Sequence, residues 1–461
     1  MLDKEQLERL DLAFNPRSVA ILGATKEPDR VGYSILESVL RGGYEGRVVP
    51  IHPRHQEILG QKVFARLDDV DGPVDLAIVA LNERASVEAM DECGQHDVKG
   101  AICVAGGYKE MGGEGEALQA RLAEAAVRNR VMLVGPNTLG LINAQAGLNA
   151  SFWPTELHRG GVFSLITQSG GVGQMIGFKA QDEGLVINKW VGVGNRAALD
   201  FDDFLQYLAQ DPTTKVIAVF MEGTESARRF VQLAGEVVKR KPVVILKGGK
   251  AELSQLCAQT HTGSMAGSPK VYHDVFEQFG LIVVDSVDEM VSVSKALALA
   301  PLPRGNRVAI LTPSAGPSIL LVDLLDSLGC VLVPFASETM ERLEGLFRDV
   351  PVVLKNPLDA AAVGYSGDLY AQLADIVLAD VGVDLLIAVS IDHKNRRFPS
   401  GELIELSRKH GKPVVVYYIS DVEHVHKHRE ACQAGGIPFY LSAEETAWGA
   451  AGLVRYARLR S

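Results

Sequence analysis

The feature that most constrains this chain is an alternation. Short runs rich in Val, Ile and Ala, with no polar residue at every second place, are each followed by a longer amphipathic stretch. A half-exposed strand would show a period of two, so uninterrupted apolar runs fit parallel strands covered on both faces. Strands and helices alternating in this way imply an α/β fold built on doubly wound parallel sheets. A first series comprises "SVAILGA" (18–24), "RVVPIHP" (47–53), "DLAIVAL" (75–81), "GAICVAGG" (100–107) and "VMLVGPN" (131–137), with helical patterns such as "GEALQARLAEAAVRN" between them.

A second series opens at "GVFSLITQSGG" (161–171) and continues with "INKWVGVGN", "KVIAVFMEG" (215–223), "PVVILKGGK" (242–250) and "LIVVDS" (281–286). The Pro- and Gly-rich "ALAPLPRGN" (298–306) reads as a linker. A third series then runs through "RVAILTPSAGP", "VDLLIAVSID", "PVVVYYISD" and "IPFYLS". The last two series open alike, "LITQSGGVGQ" (165–174) against "ILTPSAGPSI" (310–319): a strand ending in Thr, a turn of small residues, then a helix. A length of 461 residues suits about three domains, and the expected division is 1–145, 146–300 and 301–461.

Composition narrows the function classes. A net charge of −11 argues against a nucleic-acid partner, which needs a basic footprint. No apolar run reaches the roughly eighteen residues of a membrane-spanning helix. The amino-terminal "MLDKEQLERLDLAF" is charged and amphipathic, unlike a secretory leader. The five cysteines are scattered and form no CxxC pair, which argues for a reducing compartment and against zinc or a disulfide framework. The expectation is a cytoplasmic protein with no membrane association. "DVEHVHKHRE" (421–430) holds three histidines, but its charges favour a solvated helix start on which they splay apart, so no metal site is expected.

Ligands of open α/β sheets bind at the carboxyl ends of the strands. The first strand ends in "GATKEPDRVG" (23–32), where Gly23 allows a tight turn and amides before the helix can meet a phosphate; a plain strand–helix loop is the competing reading. A dinucleotide enzyme would place an acidic residue after the second strand to bind a ribose hydroxyl. This chain has "IHPRH" there, with Arg54 and no carboxylate, which favours a ribose bearing a phosphate, as in NADP or coenzyme A. No hydride-transfer site follows, which turns the reading toward coenzyme A. In "VGPNTLG" (134–140), Asn137 either reaches into the crevice toward a carbonyl or thioester, or caps its own turn. His52 reads as crevice rim and His55 as surface.

"TQSGGVGQ" (167–174) puts Ser169, Gly170 and Gly171 at a helix amino terminus, whose amides and dipole suit phosphate. The full G-x-S-x-G elbow is absent, which argues against a serine nucleophile. "VFMEG" (219–223) ends a strand with Glu222, and "QTHTGSMAG" (259–267) sets His261 among small and hydroxyl residues. A carboxylate accepting one imidazole N–H leaves the other nitrogen nucleophilic, so Glu222 and His261 form a candidate pair. Glu225 reads as a first-turn residue of the following helix. "KGGK" (247–250) is a phosphate loop or an ordinary polar turn.

Taken in order, "SVAILGAT", "HPR", "VAGGYKE", "GPNTLG", "ITQSGG", "MEG" and "THTGSMAG" resemble the α subunit of ADP-forming acyl-CoA synthetases, relatives of succinyl-CoA synthetase. The resemblance covers nearly the whole chain. It implies a Rossmann-like coenzyme-A-binding domain followed by two flavodoxin-like domains. It implies reversible conversion of acyl-CoA, phosphate and ADP into carboxylic acid, CoA and ATP. By this resemblance His261 is the transiently phosphorylated residue and Glu222 holds its imidazole. Ser169, Gly170, Gly171 and Val172 supply amides to the phosphate, and Gly23, Thr25, Arg54 and Asn137 line the CoA and acyl region. The chain departs from the family's pattern at Thr138, where a Cys is frequent, at "NPLDAAA" (356–362) and at "TPSAG" in the third series. The chain has no G-x-x-x-x-G-K-[ST] and no dedicated Mg²⁺–ATP module. The family supplies that module from a separate ATP-grasp β subunit or domain, so the resemblance implies a hetero-oligomer or a piece of a longer chain, with Mg²⁺ and nucleotide on the partner. The alternatives are a non-catalytic CoA-binding or regulatory module of the same fold, against which the presence of His261 and Glu222 weighs, and an NADP oxidoreductase.

Overall fold

The computed structural model describes residues 1–251, 253–254, 268–348, 352–391, 397–420 and 422–460. His261 and the rest of "QTHTGSMAG" lie outside the described residues. Two compact units are present: residues 1–181 with 185–285, and residues 182–184 with 286–461.

The first unit holds two large sheets and a two-stranded antiparallel ribbon, Glu57–Ile58 with Gln61–Lys62. Strands β1 (Ser18–Leu22), β2 (Arg47–Ile51), β3 (Leu76–Val79), β4 (Gly100–Cys103) and β5 (Met132–Val134) form a parallel sheet in the order β2-β1-β3-β4-β5. Every residue of β1, β3, β4 and β5 is buried, as their unbroken apolar runs require. Helices Val31–Arg41, Glu83–Gln95 and Glu114–Arg128 alternate with these strands. Asn82 starts the second of them by accepting from Ala85 N at 2.9 Å.

The second sheet contains β6 (Gly140–Asn143), β7 (Leu148–Ser151), β8 (Phe163–Thr167), β9 (Ile187–Gly192), β10 (Val216–Met221), β11 (Val243–Lys247) and β12 (Ile282–Val284) in the order β12-β11-β10-β8-β9-β6-β7. Strands β8 to β12 are parallel, whereas the β6–β7 hairpin joins antiparallel through β9. This hairpin spans residue 145, and both its strands belong to the second sheet. One apolar core joins the two sheets, running from Leu10 and Val19 through Leu148 and Ile166 to Phe230.

The second unit holds β13 (Arg307–Thr312), β14 (Val331–Leu332), β15 (Leu358–Asp359), β16 (Leu385–Ile391), β17 (Val414–Ile419) and β18 (Phe439–Tyr440). They run parallel in the order β14-β13-β16-β17-β18, with β15 also pairing β13. The likeness of "LITQSGG" and "ILTPSAG" has a structural counterpart. Thr167 Oγ1 donates to Ser169 O at 2.8 Å, and Thr312 Oγ1 to Ser314 O at 2.7 Å, each just before a helix of 13 residues. The three-histidine segment opens the helix Val422–Ala434, where His428 stands against Ser400 Oγ at 3.2 Å. Among the described residues no helix is long and apolar enough to cross a membrane.

Candidate active site

A cleft of about 830 Å³ opens at the carboxyl ends of β1, β2, β3 and β4, and its lining includes Gly23, Thr25, Arg30, His52, Arg66 and Gly106. Its position is the one topology dictates for a parallel sheet, and its size suits a cofactor-sized ligand. Gly23 has a φ of +87°, and a Cβ there would run into Ala80 O, so no larger residue fits this turn. Thr25 Oγ1 accepts from Glu27 N at 3.3 Å, which shapes the loop leading to Arg30. Arg54 is exposed and outside the lining, and its backbone N–H donates to His52 Nδ1 at 3.2 Å. Burial, then the neighbouring His55 and Arg54, lower the pKa of His52, whose ring stacks on His55 with centroids 4.1 Å apart. Two cleft-lining cations, Arg30 and Arg66, escaped the sequence reading: nothing in their local pattern separates a cleft arginine from a surface one.

The far end of the cleft meets the second sheet. Asn137, with φ +55°, receives its position from Asn137 N donating to Ala105 O at 2.8 Å, beside the cleft-lining Gly106. Its Nδ2 donates to Asn195 Oδ1 at 3.3 Å. Asn195 is buried and donates from Nδ2 to Glu110 Oε2 at 2.5 Å and to Gln119 Oε1 at 3.0 Å. With its amide nitrogen so engaged, Asn195 turns its oxygen to Asn137 and fixes the orientation of that amide. Burial raises and then hydrogen bonds from Asn195 and backbone amides lower the pKa of Glu110, for a net lowering. The loop after β9 is pressed onto the Gly135–Asn137 turn through Asn195 N to Pro136 O and Ala197 N to Gly135 O, both 2.9 Å. Gly194, with φ +54°, permits the approach, since a Cβ there would overlap Pro136 O. Thr138, where the family often has Cys, is buried and donates to Gly192 O at 2.5 Å, a structural tie between the two sheets.

At the carboxyl edge of the second sheet, the helix Gly170–Asp182 begins against β8. Val172 N–H reaches Ser169 Oγ at 3.4 Å, a long bond that an incoming anion can replace. A Cβ on Gly171 would meet nothing within 4 Å, so space lies open over this helix end. Gln168 is buried, and its Oε1 accepts from Glu222 N at 2.8 Å and Gly223 N at 3.2 Å. One side chain thus holds the end of β10 to the phosphate-type turn. Glu225 lies ahead of the helix Ala227–Val237, whose cap is Ser226, and pairs with Lys109. That ion pair lowers the pKa of Glu225. Arg196 is buried near the same edge, with its Nε 3.1 Å from Asp200 Oδ1. The structure therefore ties the backbone of Glu222 and Gly223 to Gln168, the residue before Ser169, and sets Asn137 between the cleft edge at Ala105 and the loop after β9 at Asn195.

Residues 17–144 match the family described as a CoA binding domain, and residues 160–297 match the succinyl-CoA ligase like flavodoxin domain. Fold and sequence together define a coenzyme-A-binding ligase of the succinyl-CoA synthetase type. The chain is 36% identical over 455 residues to the α subunit of acetate–CoA ligase [ADP-forming] II of Pyrococcus furiosus, a match covering 97% of this chain and 98% of that one. It is 33% identical to acetate–CoA ligase [ADP-forming] I of Archaeoglobus fulgidus, covering 98% of this chain and 64% of that protein. The structure of a dinucleotide-forming acetyl-coenzyme A synthetase 1 from Ca. Korarchaeum cryptofilum, in complex with phosphate and ADP, superposes with a TM-score of 0.90 at 31% identity, covering 99% of this chain and 98% of that one. The chain belongs to the ADP-forming acyl-CoA synthetase family, on the side of its α subunits.

Proposed function

We propose that this chain is the α component of an ADP-forming acyl-CoA synthetase, working in the cytoplasm with an ATP-grasp β subunit or domain that holds Mg²⁺ and nucleotide. The three-domain division at residues 145 and 300 belongs to the same reading. Coenzyme A occupies the cleft at Gly23 and Thr25, with Arg54 at its rim and its thioester end toward Asn137. Inorganic phosphate sits at Ser169–Val172 and attacks the thioester carbonyl; the C–S bond breaks, giving an acyl phosphate and CoA. His261 then attacks the phosphorus, the P–O bond to the acyl group breaks, and the carboxylate leaves. Phosphohistidine passes its phosphoryl group to ADP on the partner. Such transfers depend on positioning and charge stabilisation, which the helix-end amides and the Glu222 carboxylate supply. The observation that supports this reading is the clamp of Gln168 on the backbone amides of Glu222 and Gly223, which ties the strand end carrying Glu222 to the residue before Ser169.

The test is ATP formation by the chain combined with an ATP-grasp partner, acyl-CoA, phosphate and Mg²⁺–ADP, with acetyl-CoA as the first substrate because acetate is the acid in the relatives' names. ATP should appear only with all components and should vanish with His261→Ala. ATP formation by His261→Ala at the wild-type rate would refute the phosphohistidine route.

A further inference from the structure

Strand β11 reads Val-Val-Ile-Leu-Lys, and its last residue, Lys247, is buried. A buried ammonium is costly unless hydrogen-bonded, and the groups that satisfy this one belong to the candidate site. Lys247 Nζ donates to the carbonyl oxygen of Glu222 at 2.7 Å and to that of Gly248. It lies 4.8 Å from the ring centroid of Tyr272, on the helix Pro269–Gln278. The backbone at Gly248 abuts the glutamate itself: a Cβ there would be 3.5 Å from Glu222 Cγ. In sequence, Lys247 and Tyr272 stand on either side of the stretch that carries His261.

We propose that Lys247 is a positioning residue for Glu222, a charged bridge that ties the carboxyl ends of β10 and β11 and holds the glutamate in one arrangement at the candidate site. The proposal rests on the phosphohistidine reading above. A neutral group of similar length could fill the space, but only a cation makes two charge-assisted bonds to carbonyls and also counters the neighbouring carboxylate. The charged and titratable groups around it are Glu222 at the end of β10, Lys250 on its own segment and Tyr272, with Arg196 beyond Glu222 and Tyr272. Burial, and to a lesser extent the Lys250 charge, lower Lys247 to about 8 against the opposing pull of Glu222. The bridge is therefore about half charged near pH 8, largely charged at neutral pH and largely uncharged well above pH 8.

The test uses the chain with its ATP-grasp partner, and compares wild type, Lys247→Met and Lys247→Arg from pH 6.5 to 9.5. Wild-type kcat should fall on an alkaline limb near pH 8. Lys247→Met should lower kcat at least tenfold, leave KM for acyl-CoA within about twofold, and remove that limb. Lys247→Arg should restore part of kcat and move the limb beyond pH 9.5. A Lys247→Met enzyme that keeps the wild-type kcat and limb overturns the proposal. A second measurement avoids turnover: titration of the Lys247 ¹⁵Nζ resonance in wild type and Glu222→Gln. Loss of the carboxylate should lower the lysine's midpoint by at least half a pH unit, and an unmoved midpoint overturns the coupling. Failure of the parent reading looks different, since wild type itself would then carry no phosphate on His261, and Lys247 would have no step to support.

Discussion

Gln168 shows how much of this site hangs on single side chains. Its buried carbonyl oxygen takes two backbone amides, those of Glu222 and Gly223. Gln168→Ala should strand both, at a cost of about 1–3 kcal/mol in unfolding free energy measured with urea, and should depress ATP formation far more than CoA binding. Equal losses in both would argue for general damage instead. Gly23 is the counterpart in the cleft. Gly23→Ala meets both a φ of +87° and the oxygen of Ala80, so it should weaken CoA binding at least tenfold in calorimetry while leaving Glu222 in place. Gly23 was legible in the sequence because only glycine suits such a turn. Gln168 stood in a quoted motif but carried no role there, since sequence does not say which way a side chain points or which amides lie across the sheet.

Among the elements, the parallel strands were readable and the β6–β7 hairpin was not. Parallel strands with both faces covered must be apolar throughout, and those runs stand out. The hairpin is equally buried but holds Asn143, Asn149 and Ser151, so it shows neither an apolar run nor a clean alternation. Its polar groups are satisfied by tertiary partners, Asn143 Nδ2 by Phe14 O and Asn149 Nδ2 by Trp153 O, each at 2.9 Å. The neighbouring β9 carries a second buried polar feature, Lys189 Nζ at 2.8 Å from Asp211 Oδ2. Burial pushes the Asp211 carboxyl up, but hydrogen bonds from Lys189, Thr214 and Thr213 outweigh it and hold it at about 2. A folded-state pKa below the unfolded value of about 3.9 gives stability that is complete above that value and lost as pH falls toward 2. Asp211→Asn should therefore lower stability by roughly 2 kcal/mol at pH 7 and flatten the acid limb between pH 4 and 2, as read by urea unfolding at each pH.

At the scale of the whole molecule, the first unit contains the cleft and both edges of the candidate site within one continuous core, whereas the second unit repeats the same strand–turn–helix opening around another sheet. Composition and series of strands made three sheets legible. The grouping of residues 182–184 with 286–461 was not, because its contacts, such as a buried ion pair and a Gln433 bond to Glu183 O, join residues far apart in sequence. Lys295 Nζ is 2.5 Å from Glu183 Oε2 and 2.6 Å from Phe439 O, with the Tyr440 ring 4.0 Å away. Glu183→Ala should cost about 3–5 kcal/mol by leaving a buried cation without its carboxylate, and adding Lys295→Met should recover much of it in urea unfolding. Near-zero loss from the single change would contradict that account. The central claim is that this chain carries a phosphoryl group on His261 between an acyl phosphate and a nucleotide. The most direct measurement is mass spectrometry of the peptide containing His261 after incubation with the ATP-grasp partner, acetyl-CoA and phosphate. An acid-labile phosphate on that histidine, absent without acetyl-CoA and sharply reduced in Glu222→Gln, is the predicted result. A complex that forms ATP while His261 carries no such phosphate would contradict it.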